Sequence, residues 1–258
     1  DKMFYWCTSI EEIVIPSTVE RIGNQAFYYC TALNKLTFAP TPEGQTPVAL
    51  IIADAKSYSY APFYNCKALK DIVLPERLTV IGSYAFGGGY TSSGGGEPYY
   101  SYAYVESVTL PSTLKRIGDY AFYYATSLKS VKFAEGIVLE DVISGGKVTN
   151  SAIGKYAFAY CKALTSFDFP TTAGSTYSLG NYAFAYGVLS NVSIPANITS
   201  LGEYCFYNST SITNIEFAKG ANPTIGKSAF AYTSIESITL PEGITAIGDY
   251  AFQYCKKL

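Results

Sequence analysis

Apolar residues recur along this chain in one fixed order from its first unit to its last. Each unit opens with aliphatic and polar residues that alternate up to a proline, as at 10–16, 69–75 and 235–241. Ile-Gly follows, and then Ala-Phe-x-x-Cys-x-x-Leu, as at 22–33, 153–164 and 247–258. Because side chains alternate between the faces of a strand, the first half predicts a short strand that ends at proline. Glycine permits a bend in the second half, and Ala-Phe-x-x-Cys is typical of one helical or 3₁₀ turn.

The phenylalanine of each unit serves as an anchor for measuring the repeat. Successive anchors lie mostly 22 to 24 residues apart, once 26 and three times 36. One repeated supersecondary unit of this length predicts an α/β-type repeat solenoid, a leucine-rich repeat horseshoe or right-handed superhelix. We expect one short parallel strand per repeat on one side and 3₁₀ or short helical turns on the other. The anchors are Phe4, Phe27, Phe63, Phe86, Phe122, Phe158, Phe184, Phe206, Phe230 and Phe252.

The longer intervals predict insertions in a single array that covers residues 1–258 with about ten units. We place the insertions near 39–60, 87–104 and 134–151. The first and third follow a strand and are expected on one edge of the solenoid, whereas the second precedes its strand and is expected on the opposite edge. The chain begins and stops inside a unit, so we expect both ends to be cropped and flanked by further repeats or caps.

Composition and charge argue against several classes of function. A hydrophobic content of 48% supports a continuous core, and a net charge of −2 argues against a broad basic surface for nucleic acid. No apolar run is long enough to span a bilayer. Histidine is absent, which excludes Ser-His-Asp and Cys-His nucleophiles and histidine-based metal sites. We therefore predict no enzyme and no cofactor. The carboxylate pairs Glu11-Glu12 and Glu140-Asp141 are interpreted as solvated surface charge.

The six cysteines follow the repeat. Five lie three residues after an anchor, and Cys205 replaces the alanine before one. We interpret the shared position as a small buried slot that holds free thiols, because neighbouring Cβ atoms point the same way and give poor disulfide geometry. A disulfide and a metal site are the alternatives. The five slot cysteines are Cys7, Cys30, Cys66, Cys161 and Cys255.

Most of the 25 tyrosines also occupy repeat positions. They lie two residues before or two residues after an anchor, which predicts two aromatic ladders on the turn side. We interpret the ladders as packing between repeats, and an exposed strip for a partner or a glycan is the alternative.

A second tyrosine group lies in the insertion at 87–104, among glycine and serine. This composition resembles adaptable binding loops such as antibody paratopes, and a decorative loop is the alternative. The candidate ligand-binding residues there are Tyr90, Tyr99, Tyr100, Tyr102 and Tyr104.

The outward face of the predicted sheet carries small hydroxyl and amide side chains, with few charges. Such a face suits broad contact with a protein surface rather than electrostatic steering. The candidate binding residues on it are Lys35, Asp71, Ser107, Thr109, Lys132 and Asp168.

The pattern Leu-x-x-Val-x-Leu-Pro followed by Ile-Gly-x-x-Ala-Phe-x-x-Cys resembles the BspA-like leucine-rich repeat over almost the whole chain. The unit around Phe63 departs from it, since it lacks Ile-Gly and has Pro62 in place of alanine. The resemblance implies a secreted or outer-surface protein of gut or oral bacteria or some mucosal protozoa, linked to adhesion and to binding of host matrix proteins. It implies no shared catalytic residues.

Three functions remain open at this point. The first is a bacterial cell-surface module for adhesion to host or extracellular proteins. The second is a glycan-binding surface protein that serves nutrient capture, suggested by the tyrosine insertion. The third is a passive spacer that projects another domain.

Overall fold

The computed structural model describes residues 1–52, 54–91, 99–101 and 103–258. In this part the chain winds as a solenoid of stacked repeats. In chain order its strands are β1 Glu12–Ile15, β2 Arg21–Ile22, β3 Lys35–Phe38, β4 Leu50–Ile52, β5 Asp71–Val73, β6 Leu78–Ile81, β7 Gly89–Thr91, β8 Tyr99–Ser101, β9 Ser107–Leu110, β10 Arg116–Ile117, β11 Ser130–Phe133, β12 Val142–Ser144, β13 Lys147–Asn150, β14 Tyr177–Leu179, β15 Asn191–Ile194, β16 Ile198–Leu201, β17 Asn214–Phe217 and β18 Thr224–Ile225. The described ranges contain one helix, the 3₁₀ helix Tyr58–Tyr60, and no helix there is suited to crossing a membrane.

The alternating segments form the first strand row, so the predicted parallel repeat sheet is confirmed. The row comprises β1, β3, β5, β9, β11, β15 and β17, which pair in parallel with equivalent residues side by side. In β9, Val108 and Leu110 are buried while Ser107 and Thr109 are partly exposed. The row falls into three segments, β1-β3, β5-β9-β11 and β15-β17. Each break follows a repeat in which extra residues begin directly after a first-row strand.

A second strand row, which the sequence pattern did not predict, runs along the Ile-Gly segments. It comprises β2, β4, β6 and β10, then β14, β16 and β18. Single bridges from Ile153 to Ile117 and to Leu179 join the two groups. β2, β10 and β18 have only two residues, and the four-residue strands β6 and β16 bury their first and last residues, so neither kind shows a period-two pattern. The second row continues across both breaks of the first row, so it connects the three segments of that row.

The turn side is built from consecutive hydrogen-bonded turns rather than from helix. In the repeat of Phe122, the N–H groups of Ala121, Tyr123 and Ala125 each donate to the carbonyl three residues earlier. The intervening N–H groups of Tyr120 and Phe122 instead donate to the next repeat, at 2.8 Å each. The i→i+3 bonds of the expected 3₁₀ turn are therefore present. Every second N–H group joins a ladder between repeats, which a helix does not permit.

This backbone path places bulky side chains in the left-handed region. Every non-glycine residue of the described ranges with a positive φ lies two residues before or two residues after an anchor, and most are tyrosine. A left-handed residue with a Cβ costs about 1–2 kcal/mol. The bonds between repeats and the ring contacts must offset that cost. Non-aromatic occupants are Lys2, Gln25, Asn65, Asn208 and Ser228.

The core lies between the two strand rows and the turns. Rings of successive anchors stack along the whole array, with centroids 5.0–5.5 Å apart. Glycines sit where neighbouring repeats approach most closely. A Cβ on Gly180 would lie 2.6 Å from the backbone carbon of Gly154, so any larger residue would push the repeats apart.

The insertions carry structure of their own. The antiparallel hairpin β12–β13 projects from the array and exposes Ile143 and Val148, which face each other across its strands. Asp141 at its base accepts hydrogen bonds from the backbone N–H groups of Ala152, at 2.7 Å, and Ser178, at 3.0 Å. The interpretation of Asp141 as solvated surface charge was therefore wrong, because this carboxylate links two repeats.

Candidate functional site

The outward face of the first strand row is the candidate binding surface. Asp71, Ser107, Thr109 and Lys132 lie together on the continuous segment β5-β9-β11. Lys35 lies on β3 beyond the first break. Asp168 is exposed on an irregular stretch beyond the second break and belongs to no strand. The structure thus brings four of the six predicted face residues onto one sheet.

The polar side chains of this face are engaged with one another. Lys35 forms an exposed ion pair with Glu12 at 3.0 Å, and the Ser107 hydroxyl donates to the Asp71 carboxylate. Exposed ion pairs contribute only about 0–1 kcal/mol. Two residues after Glu12 and Asp71 on the same strands, Val14 and Val73 are 64% and 69% exposed. The face therefore combines one ion pair and a hydrogen-bonded carboxylate with exposed apolar side chains.

A charged rim that the sequence analysis missed borders the same sheet. Glu106 binds Lys129 at 2.6 Å and Lys70 at 3.4 Å, so one carboxylate joins three repeats. Hydrogen bonds from the two ammonium groups lower the pKa of Glu106. The Lys70 ammonium also lies 5.6 Å from the ring centroid of Tyr104. All three residues lie just before a first-row strand, a position that the repeat pattern does not single out.

The tyrosine insertion is only partly described. Its backbone forms the antiparallel hairpin β7–β8, in which Tyr90 pairs with Tyr100 and Tyr99 pairs with Thr91. Tyr102 lies outside the described residues. Tyr104 lies at the base of the insertion, beside Lys70.

The tyrosine ladders pack between repeats, as the first interpretation held. Tyr84, Tyr120, Tyr156, Tyr182 and Tyr204 stack in sequence with centroids 4.5–4.9 Å apart. Burial raises the pKa of Tyr84 and that of Tyr182 to about 12, so both hydroxyls stay neutral at physiological pH. Because stacked neighbours cover the ring faces, the ladder offers mainly ring edges and hydroxyls. At the two ends of the ladders, Trp6, Tyr250 and Tyr254 are more than half exposed.

The side chain in the cysteine slot donates a hydrogen bond to the preceding repeat. The Cys66 and Cys161 thiols donate to the carbonyls of Phe27 and Phe122, the anchors of the preceding repeats. Ser209 makes the equivalent bond to Phe184 at 2.9 Å. All six cysteines are free, and burial raises the pKa of the Cys66 and Cys161 thiols. The slot is small and buried, as expected, and it also favours a hydrogen-bond donor, which the sequence analysis did not include.

A groove opens at the first break of the first strand row. It is lined by residues 34–38 of β3 and its flank and by Asp71, Val73, Leu74 and Pro75 of β5 and its flank. Its volume is about 430 Å³, and it shares Phe38 and Pro75 with a smaller cavity of about 180 Å³. We call this space the β3–β5 groove. No cluster of three or more possible metal ligands exists among the described residues.

Comparisons with known proteins agree with this geometry. The family model described as BspA type Leucine rich repeat region matches residues 1–45, 51–92, 96–144 and 142–258. The solved leucine-rich repeat protein of T. pallidum is similar over 85% of this chain and 91% of that chain, with 20% identity and a TM-score of 0.59. No curated protein matches the chain.

Two further solved structures are similar at a lower TM-score. A leucine-rich cell surface protein from Faecalibacterium prausnitzii shares 23% identity over 100% of this chain and 74% of that chain, with a TM-score of 0.39. A leucine-rich repeat protein from Bacteroides ovatus shares 23% identity over 100% and 79%, with a TM-score of 0.44.

Proposed function

Because this chain belongs to the BspA type leucine-rich repeat family, whose repeats form protein-interaction modules, we propose that it is an adhesion module of a bacterial outer surface. Its partner is a host or extracellular matrix protein, and the chain acts at the cell surface or after secretion. It binds and does not catalyse. The observation that carries the proposal is the outward face of β5-β9-β11, a continuous sheet whose outward side chains are exposed or partly exposed.

The chemistry of that face supports contact with a protein. Ser107 and Thr109 place small, partly exposed hydroxyls on the face, and Val73 adds apolar area. Protein interfaces combine an apolar centre with a polar rim. Here Lys132 and the Lys70–Glu106–Lys129 rim supply the polar border. We assign binding contacts to Asp71, Ser107, Thr109 and Lys132, and secondary contacts to Lys35 and Asp168.

Binding of the purified chain to immobilised matrix proteins tests the proposal. The face variant combines Thr109→Arg with Lys132→Glu, which adds bulk and reverses a charge on adjacent strands. Lys155→Glu on the turn side is the matched control. We expect saturable binding to at least one matrix protein, weakened about tenfold or more by the face variant, a change of about 1.4 kcal/mol. Equal binding by the face variant would exclude this face.

A glycan-binding role in nutrient capture is the second candidate, carried by the tyrosine insertion at 87–104. That insertion carries five tyrosines at positions outside the repeat slots, among glycine and serine. Replacing Gly87–Tyr104 by a short Gly-Ser link tests it on a glycan panel. Sugar binding that disappears in this variant would favour the second candidate. A chain that binds neither proteins nor glycans would be a passive spacer.

A further inference from the structure

The hairpin β12–β13 exposes apolar side chains that the array does not cover. Val142 is 43% exposed, Ile143 66% and Val148 49%. Every residue of 142–149 is exposed, and the hairpin is held at its base, where the Asp141 carboxylate bonds to the array. A two-stranded hairpin is only marginally stable in water by itself. Apolar side chains exposed together on such an element point to an interaction surface.

The turn and the register determine which backbone groups of the hairpin point outward. The two turn residues, 145–146, are glycines with φ values of 57° and 74°, as a two-residue type I′ turn requires. Ser144 and Lys147 flank this turn and form the first hydrogen-bonded pair. Ile143 and Val148 are the next pair, and alternation along an antiparallel ladder leaves that pair without bonds between its members. Their N–H and C=O groups therefore point outward, at opposite edges of the hairpin.

The two edges of the hairpin differ in regularity. Between the pairs Ile143–Val148 and Val142–Asn150, β13 has one residue more than β12, which is a bulge at Thr149. The Thr149 hydroxyl donates to the Val142 carbonyl at 3.0 Å. A bulge disrupts the ladder along its strand and is a common protection of an exposed edge. The edge strand β12 has no bulge, proline or charged side chain, so its edge is open to pairing.

The sequence of β12 is compatible with antiparallel pairing to a second copy of itself. About a two-fold axis at Ile143, the outward N–H and C=O groups of the two Ile143 residues bond to each other. Val142 of each copy then lies opposite Ser144 of the other. Lys147 is the single charged residue of the two hairpin strands, and it lies on the outer strand of each copy. No like charges therefore oppose each other across the axis.

This pairing joins the apolar side chains of the two copies into one row. Directly opposed residues share a face of a sheet, so Ile143 and Val148 lie side by side within each hairpin. Pairing at Ile143 continues the row across all four strands and covers side chains that the single chain exposes. The bases of the two hairpins, at Asp141, lie four residues apart along the sheet, about 13 Å. The two arrays therefore lie at opposite ends of the shared sheet.

We propose that the edge of β12 is a self-association site, at which two copies of this chain pair their hairpins into a four-stranded antiparallel sheet. The contact has two-fold symmetry, so it closes at the dimer. Its few residues bury far less than the roughly 1,200 Å² of a stable interface, so we expect a dissociation constant of about 0.1–1 mM. A dimer presents the outward face of β5-β9-β11 twice, which strengthens binding to a repetitive partner surface. Self-association does not depend on what that face binds.

Proline substitution separates the two edges, because it removes one outward N–H group and leaves the bonds within the hairpin in place. Ile143→Pro disables the edge of β12. Val148→Pro is the matched control, since Val148 lies directly opposite on the same face but its N–H belongs to the bulged edge of β13. Ile143→Lys keeps the N–H and places two ammonium groups opposite each other across the axis.

Sedimentation equilibrium of the full chain, from about 10 µM to about 1 mM, measures the association. We expect wild type and Val148→Pro to form dimers with dissociation constants within about threefold of each other, and Ile143→Pro and Ile143→Lys to associate at least about tenfold more weakly. A monomeric wild type, a species larger than a dimer, or undiminished association of Ile143→Pro would overturn the proposal. A loss in Val148→Pro equal to or greater than that in Ile143→Pro would overturn it as well.

Amide hydrogen exchange of the wild-type chain, followed by NMR, gives an answer that does not depend on the variants. The N–H of Ile143 should exchange more slowly at about 1 mM than at about 20 µM, whereas the N–H of Val148 should exchange equally at both. Exchange at Ile143 that is independent of concentration, or that slows only when a matrix protein is added, would refute self-association. Binding of a soluble matrix protein to Ile143→Pro reports on the proposed function separately, because that variant leaves the outward face of β5-β9-β11 unchanged.

Discussion

At the tyrosines with a left-handed backbone, we expect a glycine variant to be more stable than an alanine variant, the reverse of the usual order. Tyr160 has a φ of 62°, and its ring stacks on Tyr124 at 4.4 Å and on Tyr186 at 4.5 Å. Tyr123 also meets the ring edge-on, at 5.8 Å between centroids. The N–H of Tyr160 donates to Ala185 of the next repeat at 3.0 Å. Tyr160→Ala removes all three ring contacts and keeps the left-handed backbone with a Cβ. Tyr160→Gly removes the same contacts and relieves the backbone cost.

The magnitudes decide which variant is more stable. Losing three ring pairs costs about 1.5–4.5 kcal/mol in either variant, from about 0.5–1.5 kcal/mol per pair. Relief of the left-handed conformation favours glycine by about 1–2 kcal/mol. The extra freedom of glycine in the unfolded chain opposes this by about 0.4–1 kcal/mol. Tyr160→Gly should therefore be more stable than Tyr160→Ala by about 0.5–1 kcal/mol.

Urea unfolding at 25 °C, followed by circular dichroism and fluorescence together, gives the two free energies of unfolding. The adjacent Ala159, whose φ is not positive, supplies the control. Ala159→Gly should destabilise the protein by about 0.5–1 kcal/mol, the ordinary direction. If Tyr160→Ala proves as stable as Tyr160→Gly, the backbone cost assigned to these positions is wrong.

Three further predictions follow from the buried polar groups. Arg77→Met should lower the free energy of unfolding, measured in urea, by about 2–5 kcal/mol, because the carbonyls of Val48 and Pro16 lose their charged donor. As a control, Arg21→Met at an exposed position should change this free energy by less than about 0.5 kcal/mol. Cys161 should resist a thiol reagent in the folded chain and react fully in denaturant, because burial raises its pKa; equal rates in both states would contradict its burial. Burial raises the pKa of Tyr84 and Tyr182 from 10.0 to about 12, so their contribution to stability is complete below pH 10 and is lost as pH rises toward 12. Urea unfolding at several alkaline pH values measures this, and a flat profile would refute it.

The sequence by itself determined the repeat and the core. Nearest-neighbour packing repeats the same contacts in every unit, so the spacing of the phenylalanines already implies a stacked array with a parallel sheet. The stack of anchors from Phe4 to Phe252 follows the predicted slots one by one. The outward positions Asp71, Ser107 and Lys132 were identified correctly as neighbours on one face, because period two fixes which side chains point outward.

Only the tertiary structure decided the features that depend on contacts between repeats. The four-residue strands of the second row show no period-two alternation, and the hydrogen bonds of the row come from the neighbouring repeat. The left-handed tyrosines are tolerated because stacking and bonds between repeats oppose a local cost that sequence propensity would count against them. The β3–β5 groove depends on how the loop at 39–49 packs around Arg77. A repeat pattern describes what the units share, whereas each of these features arises where one unit meets another.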